Sequence, residues 1–149
     1  MRMSLSNVIN ISGTGMTAQS VRLNTTASNL ANAQSVSSSI DETYRARKPI
    51  FQQLQQPWHE RDILAPVDLE HDVGEGVKVR AIVEKDAPLD IRYEPTHPFA
   101  DEEGYVYYPN VNVVEEMADM ISASRSFTVN VEVFNTAKTM MQKTLTMGQ

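Results

Sequence analysis

The chain contains no cysteine, although it is 149 residues long. Without thiols it has no disulfide, no thiolate ligand for a metal and no cysteine nucleophile. A chain without cysteine also suits an oxidising compartment, because it cannot form mispaired disulfides there. The sequence therefore excludes thiol chemistry and is compatible with a location outside the reducing cytoplasm.

Positive charge is scarce, and long apolar runs are missing. The chain has 13 Lys and Arg against 19 Asp and Glu, a formal net charge of -6. Nucleic acid and anionic membranes both attract basic surfaces, so neither is predicted as a partner.

No stretch is long enough to span a membrane, and the N-terminus lacks the apolar segment of a cleavable secretory signal. We therefore expect no direct membrane insertion and no cleavable secretory signal peptide.

Proline is absent from both ends of the chain. All seven prolines lie between Pro49 and Pro109, and 15 of the 19 acidic residues lie between Asp41 and Glu103. Both ends are thus free of helix breakers, whereas the middle is acidic and contains prolines that would interrupt a helix. These boundaries predict three regions: a helix within residues 1–35, a linker with a small β subdomain in residues 36–110, and a second helix within residues 111–149.

The C-terminal region has the periodicity of one long amphipathic helix from Val111 to Leu145. Asn112 is placed to cap its first turn, and Glu115 follows three residues later as in a capping box. Residues spaced alternately by four and three form its predicted seam: Val113, Met117, Met120, Ser124, Phe127, Val131, Phe134, Lys138, Met141 and Leu145. Such a helix would be roughly 50 Å long at 1.5 Å per residue, so it needs a long partner.

The N-terminal region supplies that partner, a second heptad helix from about Leu5 to Ala33. Its predicted seam alternates large and small residues: Ile9, Gly13, Met16, Ser20, Leu23, Ala27 and Leu30. Gly13 and Gly15 each cost this helix about 1 kcal/mol relative to alanine. Burial along one seam does not offset the backbone entropy of ordering it, so we expect both terminal segments to be largely disordered until assembly. A surface helix on an ordinary bundle is the alternative, but no third long helix is available.

The middle of the chain changes to the period of β-strands. Residues 44–54 read as an extended segment, and residues 77–83 and 89–93 alternate as two strands. We expect these two strands to form a hairpin through Glu84 to Pro88, with a third strand from Tyr105 to Tyr108. The predicted fold class is α+β, with the two terminal helices paired as a coiled coil and the small β subdomain inserted between them.

Candidate metal sites are weak. Asp68, Glu70 and Asp72 recur at the spacing of a calcium loop, but the twelfth position is Val79 instead of glutamate. The histidines lack the H-x-x-x-H spacing of a zinc site; they are His59, His71 and His97. No metal and no cofactor are predicted.

Candidate catalytic residues are weaker still. Tyr105, Tyr107 and Tyr108 suit an aromatic patch for a sugar or base, although alternating strand aromatics are more often core or interface residues. The sequence has no triad and no pair of carboxylates with a catalytic pattern. We therefore do not expect an enzyme.

Motifs at both ends resemble one known family. Residues 27–33, Ala-Ser-Asn-Leu-Ala-Asn-Ala, resemble the signature near the N-terminus of the bacterial flagellar axial proteins of the rod and hook. Other segments are similar to rod members of that family: residues 44–51, 93–98, 104–106, 109–117, 120–126 and 130–138. The resemblance covers both ends of the chain and the borders of the middle.

The resemblance implies a structural subunit of the proximal rod of the flagellar basal body. Such a subunit would polymerise helically in the periplasm, transmit torque and line a hollow export channel. Its implied partners are copies of itself, other rod proteins, a ring or adaptor protein at the proximal end, and the flagellar type III export apparatus. A coiled-coil adaptor or chaperone of a non-flagellar secretion system is the alternative.

In the assembled rod, seam and signature residues would form the assembly interface. Asn29 and Asn32, one turn apart, would supply amides for contacts between subunits. The predicted set is Ile9, Met16, Leu23, Asn29, Leu30, Asn32, Val113, Met117, Met120, Phe127, Val131, Phe134, Met141 and Leu145.

Overall fold

A computed structural model describes residues 5–54 and 75–147 of the chain. Two helices enclose four strands in the order α1 (Leu5–Ala31), β1 (Arg47–Leu54), β2 (Gly76–Glu84), β3 (Asp90–Tyr93), β4 (Tyr105–Tyr108) and α2 (Val113–Met147). The α+β class is confirmed, and both predicted helices are present. None of the helices in this part of the chain is both long enough and apolar enough to cross a membrane.

The start of α2 follows the predicted cap. The Asn112 side-chain Oδ1 accepts hydrogen bonds from the backbone N–H groups of Val114 at 3.1 Å and Glu115 at 3.4 Å. Two of the four N–H groups that a helix N-terminus leaves unpaired are thereby satisfied. The Glu115 carboxylate, which the capping-box reading turned back toward Asn112, accepts a hydrogen bond from Lys48.

The two helices lie side by side and run in opposite directions. Asn29, near the end of α1, hydrogen-bonds Glu116, near the start of α2. Further along, a β-carbon added at Gly15 would lie 2.9 Å from the Asn130 side-chain nitrogen. Moving 14 residues back along α1 therefore moves the contact 14 residues forward along α2, which fixes an antiparallel register.

The predicted seam of α2 consists of two alternating sets of positions, and only one of these sets lies on the face that packs inward. The other set is replaced by the residues one position earlier in the sequence. Ala123 and Ala137 are buried, as is Glu116, and the half-buried Asn130 completes a seven-residue repeat. The predicted Met120, Phe127, Phe134 and Met141 are half-buried and alternate with this set. By contrast, Val113, Met117 and Leu145 are exposed, so their predicted place in the intrachain seam is wrong. Small side chains allow a close approach of the helices that large ones would prevent.

The strands form two separate two-stranded antiparallel sheets. β1 pairs with β2 from Arg47↔Glu84 to Leu54↔Gly76, with a bulge that leaves Arg80 as the extra residue. β3 pairs with β4 from Asp90↔Tyr108 to Tyr93↔Tyr105. The predicted hairpin between the second and third strands is therefore wrong.

A polar clamp explains why residues 84–88 do not form a hairpin turn. The Lys85 N–H donates to the Ala46 carbonyl at 2.7 Å, which continues the pairing with the β1 side. The Asn110 amide then donates to the Lys85 and Ala87 carbonyls at 2.9 and 2.8 Å. These bonds carry the chain across from one sheet to the other, and local turn residues could not reveal them.

The first sheet rests on α1. The Thr14 hydroxyl accepts a hydrogen bond from the Val77 N–H at 3.2 Å. Gly76 beside it has φ +134°, and an added β-carbon there would collide with the Thr14 side chain. The glycine is thus required both by its backbone and by its contact with α1. The β1–β2 sheet consequently packs on the N-terminal helix, which provides the support that a two-stranded sheet needs in water.

Candidate assembly surfaces

A buried asparagine joins three segments of the chain. Asn29 is fully buried, and its amide nitrogen donates to the Arg47 carbonyl at 2.8 Å and to the Glu116 carboxylate at 3.0 Å. Its side-chain oxygen accepts from the Tyr44 hydroxyl at 2.8 Å and from the Arg47 N–H at 2.9 Å. An asparagine amide has two donors and two acceptor sites, so its capacity is fully used. We call Asn29, Tyr44, Arg47 and Glu116 the Asn29 cluster.

This placement corrects the expectation that the Asn29 amide contacts a neighbouring subunit. A side chain with no exposed surface and no spare hydrogen bond cannot reach another chain. Asn32 also bonds locally, because its amide nitrogen donates to the Ser28 carbonyl at 2.8 Å, although the residue is half-buried. The signature therefore binds α1 to the linker and to α2 within one chain.

A second asparagine acts in the same way at the other border of the β region. The Asn110 side-chain oxygen accepts the Ala46 N–H at 2.8 Å, and its amide nitrogen holds the backbone of residues 85–87. Ala46 is buried next to Arg47 of the Asn29 cluster. The entry to α2, the linker and the crossing between the sheets thus meet in one polar junction.

Charged side chains surround this junction. Lys48 lies 2.6 Å from Glu115 and 3.7 Å from Asp119, and Arg22 of α1 lies 2.7 Å from the same Asp119. The hydrogen bond and the charge of Lys48 lower the pKa of Glu115, and Lys85 lowers it further. The same hydrogen bond raises the pKa of Lys48 and outweighs its partial burial. Acidic residues in the first turns of α2 therefore anchor it to α1 and β1, where the helix dipole also favours them.

The sequence patterns did not identify Glu116 as an anchor. The position is nevertheless visible in the sequence, since Glu116, Ala123, Asn130 and Ala137 are each seven residues apart. A repeat of small and polar residues is harder to recognise than an apolar one, because hydrophobicity dominates periodicity analysis.

The outer side of α2 exposes large apolar residues. These residues are Val114, Met117, Ile121, Val129, Val133 and Met140, each between 41% and 76% exposed. At 3.6 residues per turn, Val114, Met117 and Ile121 lie on the side opposite Ala123, and Val129, Val133 and Met140 continue the exposed apolar surface around the helix to the edge of the inward face. We call this set the outer stripe. Contiguous exposed apolar surface of this kind marks an interaction site.

The predicted interface residues divide by position. On α1, Ile9, Met16, Leu23 and Leu30 are half-buried, and on α2 the same holds for Met120, Phe127, Val131, Phe134 and Met141. Val113, Met117 and Leu145 are exposed, while Asn29 is buried. Only Met117 among them belongs to the outer stripe.

The candidate metal and aromatic sites can be placed in part. Asp68, Glu70, Asp72, His59 and His71 lie outside the described residues. Across residues 5–54 and 75–147, no group of three or more His, Asp or Glu side chains is arranged to hold a metal ion. Tyr105 is exposed, whereas Tyr107 and Tyr108 are half-buried.

Together these features define a class of protein. Two long terminal helices are held together by small and polar residues, and the apolar residues that a globular protein would bury remain on the outside. This is the arrangement of a structural subunit whose helices complete their packing against other chains.

Comparison with known proteins identifies the class. Two sequence models of protein families match the chain. The family described as "Flagella basal body rod protein" matches residues 9–36, and the family described as "Flagellar basal body rod FlgEFG protein C-terminal" matches residues 102–147. The first match covers most of α1 and its signature, and the second covers β4 and α2.

Curated relatives match along the whole chain. The flagellar basal-body rod protein FlgC of Escherichia coli O157:H7 is 48% identical over 147 residues, which is 99% of this chain and 100% of the relative. FlgC of Salmonella typhimurium is 46% identical over the same shares of both chains, and FlgC of Borreliella burgdorferi is 38% identical over 99% of both. The chain belongs to the FlgC family of flagellar basal-body rod proteins. This is a family of structural rod proteins and not a class of enzymes, and nothing in the comparisons supports the secretion-adaptor alternative.

Proposed function

We propose that the chain is a structural subunit of the proximal rod, which polymerises with copies of itself and with other rod proteins around an export channel and transmits torque across the periplasm. The proposal includes a ring or adaptor protein as the proximal neighbour. It also includes delivery by the flagellar type III export apparatus without a cleaved signal peptide. Family membership and the absence of a spanning helix among the described residues are consistent with this location.

We infer further that α1 and α2 form the coiled-coil core of the subunit. The antiparallel register and the seven-residue recurrence of Glu116, Ala123, Asn130 and Ala137 support this interpretation. Phe127 and Phe134 would pack between these positions as the larger side chains of the repeat.

The outer stripe of α2 is the observation that carries the assembly proposal. Ile121 and Val129 are each 56% exposed, although residues of this type are normally buried. Burying such a side chain between subunits contributes about 1.5–3 kcal/mol. Several of them along one helix would supply a large part of the energy of polymerisation.

Substitution on the outer stripe tests this proposal. We expect Ile121→Asp to leave the helical content of the purified chain unchanged, because Ile121 faces away from α1, and to abolish its recovery in isolated basal bodies. Ser122→Asp is the matched control, since Ser122 is an exposed polar neighbour on the same helix. Normal recovery of Ile121→Asp in basal bodies would remove the outer stripe as the assembly surface.

A further inference from the structure

The β3–β4 sheet has one covered face and one open face. Cross-strand partners and alternate residues share a face of a sheet, so the pairs Ile91↔Tyr107 and Tyr93↔Tyr105 lie on one side. Ile91 and Tyr93 are 55% and 65% exposed on that side. On the other side Val106 is completely buried. The sheet thus leaves its more aromatic face open.

Acidic residues border this open face. The Tyr107 hydroxyl donates to the Asp101 carboxylate at 3.2 Å, which places the turn of residues 101–104 at its edge. The Tyr105 N–H lowers the pKa of Asp101, so this carboxylate stays charged. Glu102 and Glu103 in the same turn are exposed. A partner for the open face should therefore combine apolar side chains with positive charge.

The β1–β2 sheet of the same chain has that combination. Ile82 lines a cleft against Val21 and Thr25 of α1, so the face of the sheet that carries Ile82 is turned toward the helix. The opposite face carries Ile50, Ala81, Val83 and Lys78, all of them exposed, and Arg80 is exposed at the bulge beside them. Lys48, the cross-strand partner of Val83, lies at one end of this face and is paired there with Glu115 of α2. Away from that end, this second open face is apolar and carries two cations, Lys78 and Arg80, that have no salt bridge within the described part of the chain.

Within one chain the two sheets do not meet. Among the described elements, no Cα atom of β1 or β2 lies within 8 Å of a Cα atom of β3 or β4. Two-stranded sheets are marginal in water and gain stability when a further layer covers them. The two faces are complementary in charge and alike in apolar character, so each is suited to cover the other in a second copy.

We propose that the basic open face of the β1–β2 sheet of one subunit docks on the acidic, tyrosine-rich open face of the β3–β4 sheet of the next copy of this chain. Because the two surfaces differ, the contact is head to tail, and such contacts extend into rings or helical arrays. The proposal deepens the proposed function, on which it rests for bringing copies side by side. It adds a contact outside the helical core.

Cysteine cross-linking tests the contact, and the chain suits it because it has no cysteine of its own. Basal bodies are isolated from cells that express the Val83→Cys and Ile91→Cys variants together, and are treated with a short thiol-to-thiol cross-linker. We expect a covalent dimer that contains one copy of each variant. Rods built from either variant alone should give no dimer. Ser122→Cys on α2, mixed with Val83→Cys, is the control for random collision.

The outcomes separate this contact from rod assembly itself. Dimers from Ile91→Cys alone would mean that like faces meet and would overturn the proposal. No mixed dimer, although both variants are recovered in basal bodies, would also overturn it and would leave the subunit role intact. If the variants are not incorporated, charge reversal decides: Lys78→Glu with Arg80→Glu should reduce incorporation, and Glu102→Lys with Glu103→Lys in the same chain should restore it. Failure of this restoration also counts against the contact.

Discussion

At the scale of single residues, the chain relies on buried amides where many proteins use apolar contacts. Asn29 must donate twice and accept twice, and among similar side chains only asparagine has that capacity at this length. Aspartate would lack the donors for Arg47 and Glu116, and would add a negative charge beside a carboxylate. Asn29 therefore connects helix, linker and helix through hydrogen bonds that only the folded chain can complete.

Removing the Asn29 amide should lower the stability of the folded chain. We expect Asn29→Ala to lower the free energy of unfolding by about 2–4 kcal/mol, because the Arg47 backbone and the Glu116 carboxylate lose their partners in a buried site. Asn32→Ala removes one local bond to Ser28 and should cost less than about 1 kcal/mol. Urea denaturation of both variants measures the difference. Equal effects would show that the Asn29 cluster does not stabilise the chain.

The Lys48–Glu115 pair should make stability depend on pH at both extremes. The pKa of Glu115 is lowered from 4.5, so its contribution is fully present above 4.5 and is lost as the pH falls through the lowered value. The pKa of Lys48 is raised from 10.5, so its contribution is present below 10.5 and is lost as the pH rises through the raised value. We expect Glu115→Gln to be less stable than the parent chain between these limits.

The measurement is thermal unfolding of both chains across the pH range. The difference between them should disappear well below pH 4.5, because both then carry a neutral side chain at position 115. Glu132→Gln provides the control, since Glu132 is exposed on α2 and has no salt bridge within the described part of the chain. A difference for Glu115→Gln that persists unchanged in strong acid would show that the charge is not its cause.

At the scale of elements, local patterns predicted most of the secondary structure. The heptad spacing and the Asn112 cap gave α2 within two residues at either end, because both depend on neighbours along the chain. Strand pairing depends on contacts that are distant in sequence. The partner of β2 is decided by Asn110 and Ala46, more than 20 residues away on either side of Lys85, and alternation alone favoured the adjacent strand.

The sequence predicted the inward face of α2 only in part, and the reason differs from that for strand pairing. Periodicity analysis assigns the most apolar stripe to the intrachain seam, which is correct when a chain buries its own hydrophobic residues. Here Ala123 and Ala137 face inward, and Met117 and Ile121 face outward. Sequence alone could not distinguish an apolar face that packs within the chain from one that is reserved for another chain.

Two glycines of α1 allow a matched test of the helix contact. A β-carbon at Gly13 meets nothing within 4 Å, whereas one at Gly15 would lie 2.9 Å from the Asn130 amide. Both alanine substitutions gain about 1 kcal/mol of helix propensity. We expect Gly13→Ala to stabilise the chain by roughly that amount, and Gly15→Ala to stabilise it less, because the Asn130 side chain must shift to admit the new β-carbon.

Chemical denaturation of the two variants checks this expectation. Asn130→Ala should remove the collision, so the double variant with Gly15→Ala should recover most of the difference. If Gly15→Ala is as stable as Gly13→Ala, the two helices do not approach each other closely at Gly15 and Asn130.

At the scale of the whole molecule, the intrachain contacts are unevenly distributed along α2. Its first turns are held by Asn29, Lys48 and Arg22. Its last turns have few such anchors, since beyond the buried Ala137 every described residue except Met141 is exposed. The helix is 35 residues long against 27 for α1, so its end extends past the part that faces the described α1 residues.

This gradient sharpens the prediction that the terminal segments become ordered on assembly. Residues with few buried contacts open most easily, and the energy that would order them is supplied by neighbouring subunits. We expect amide hydrogen exchange of the dilute monomer to be slow around residues 116–123 and fast from residue 138 to the end of α2, and to become slow throughout α2 in isolated rods. Such a change would mean that the polymer is the state in which the chain completes its fold. Uniformly slow exchange along α2 in the monomer would instead show that the helix pair is complete before assembly, and that the outer stripe alone drives polymerisation.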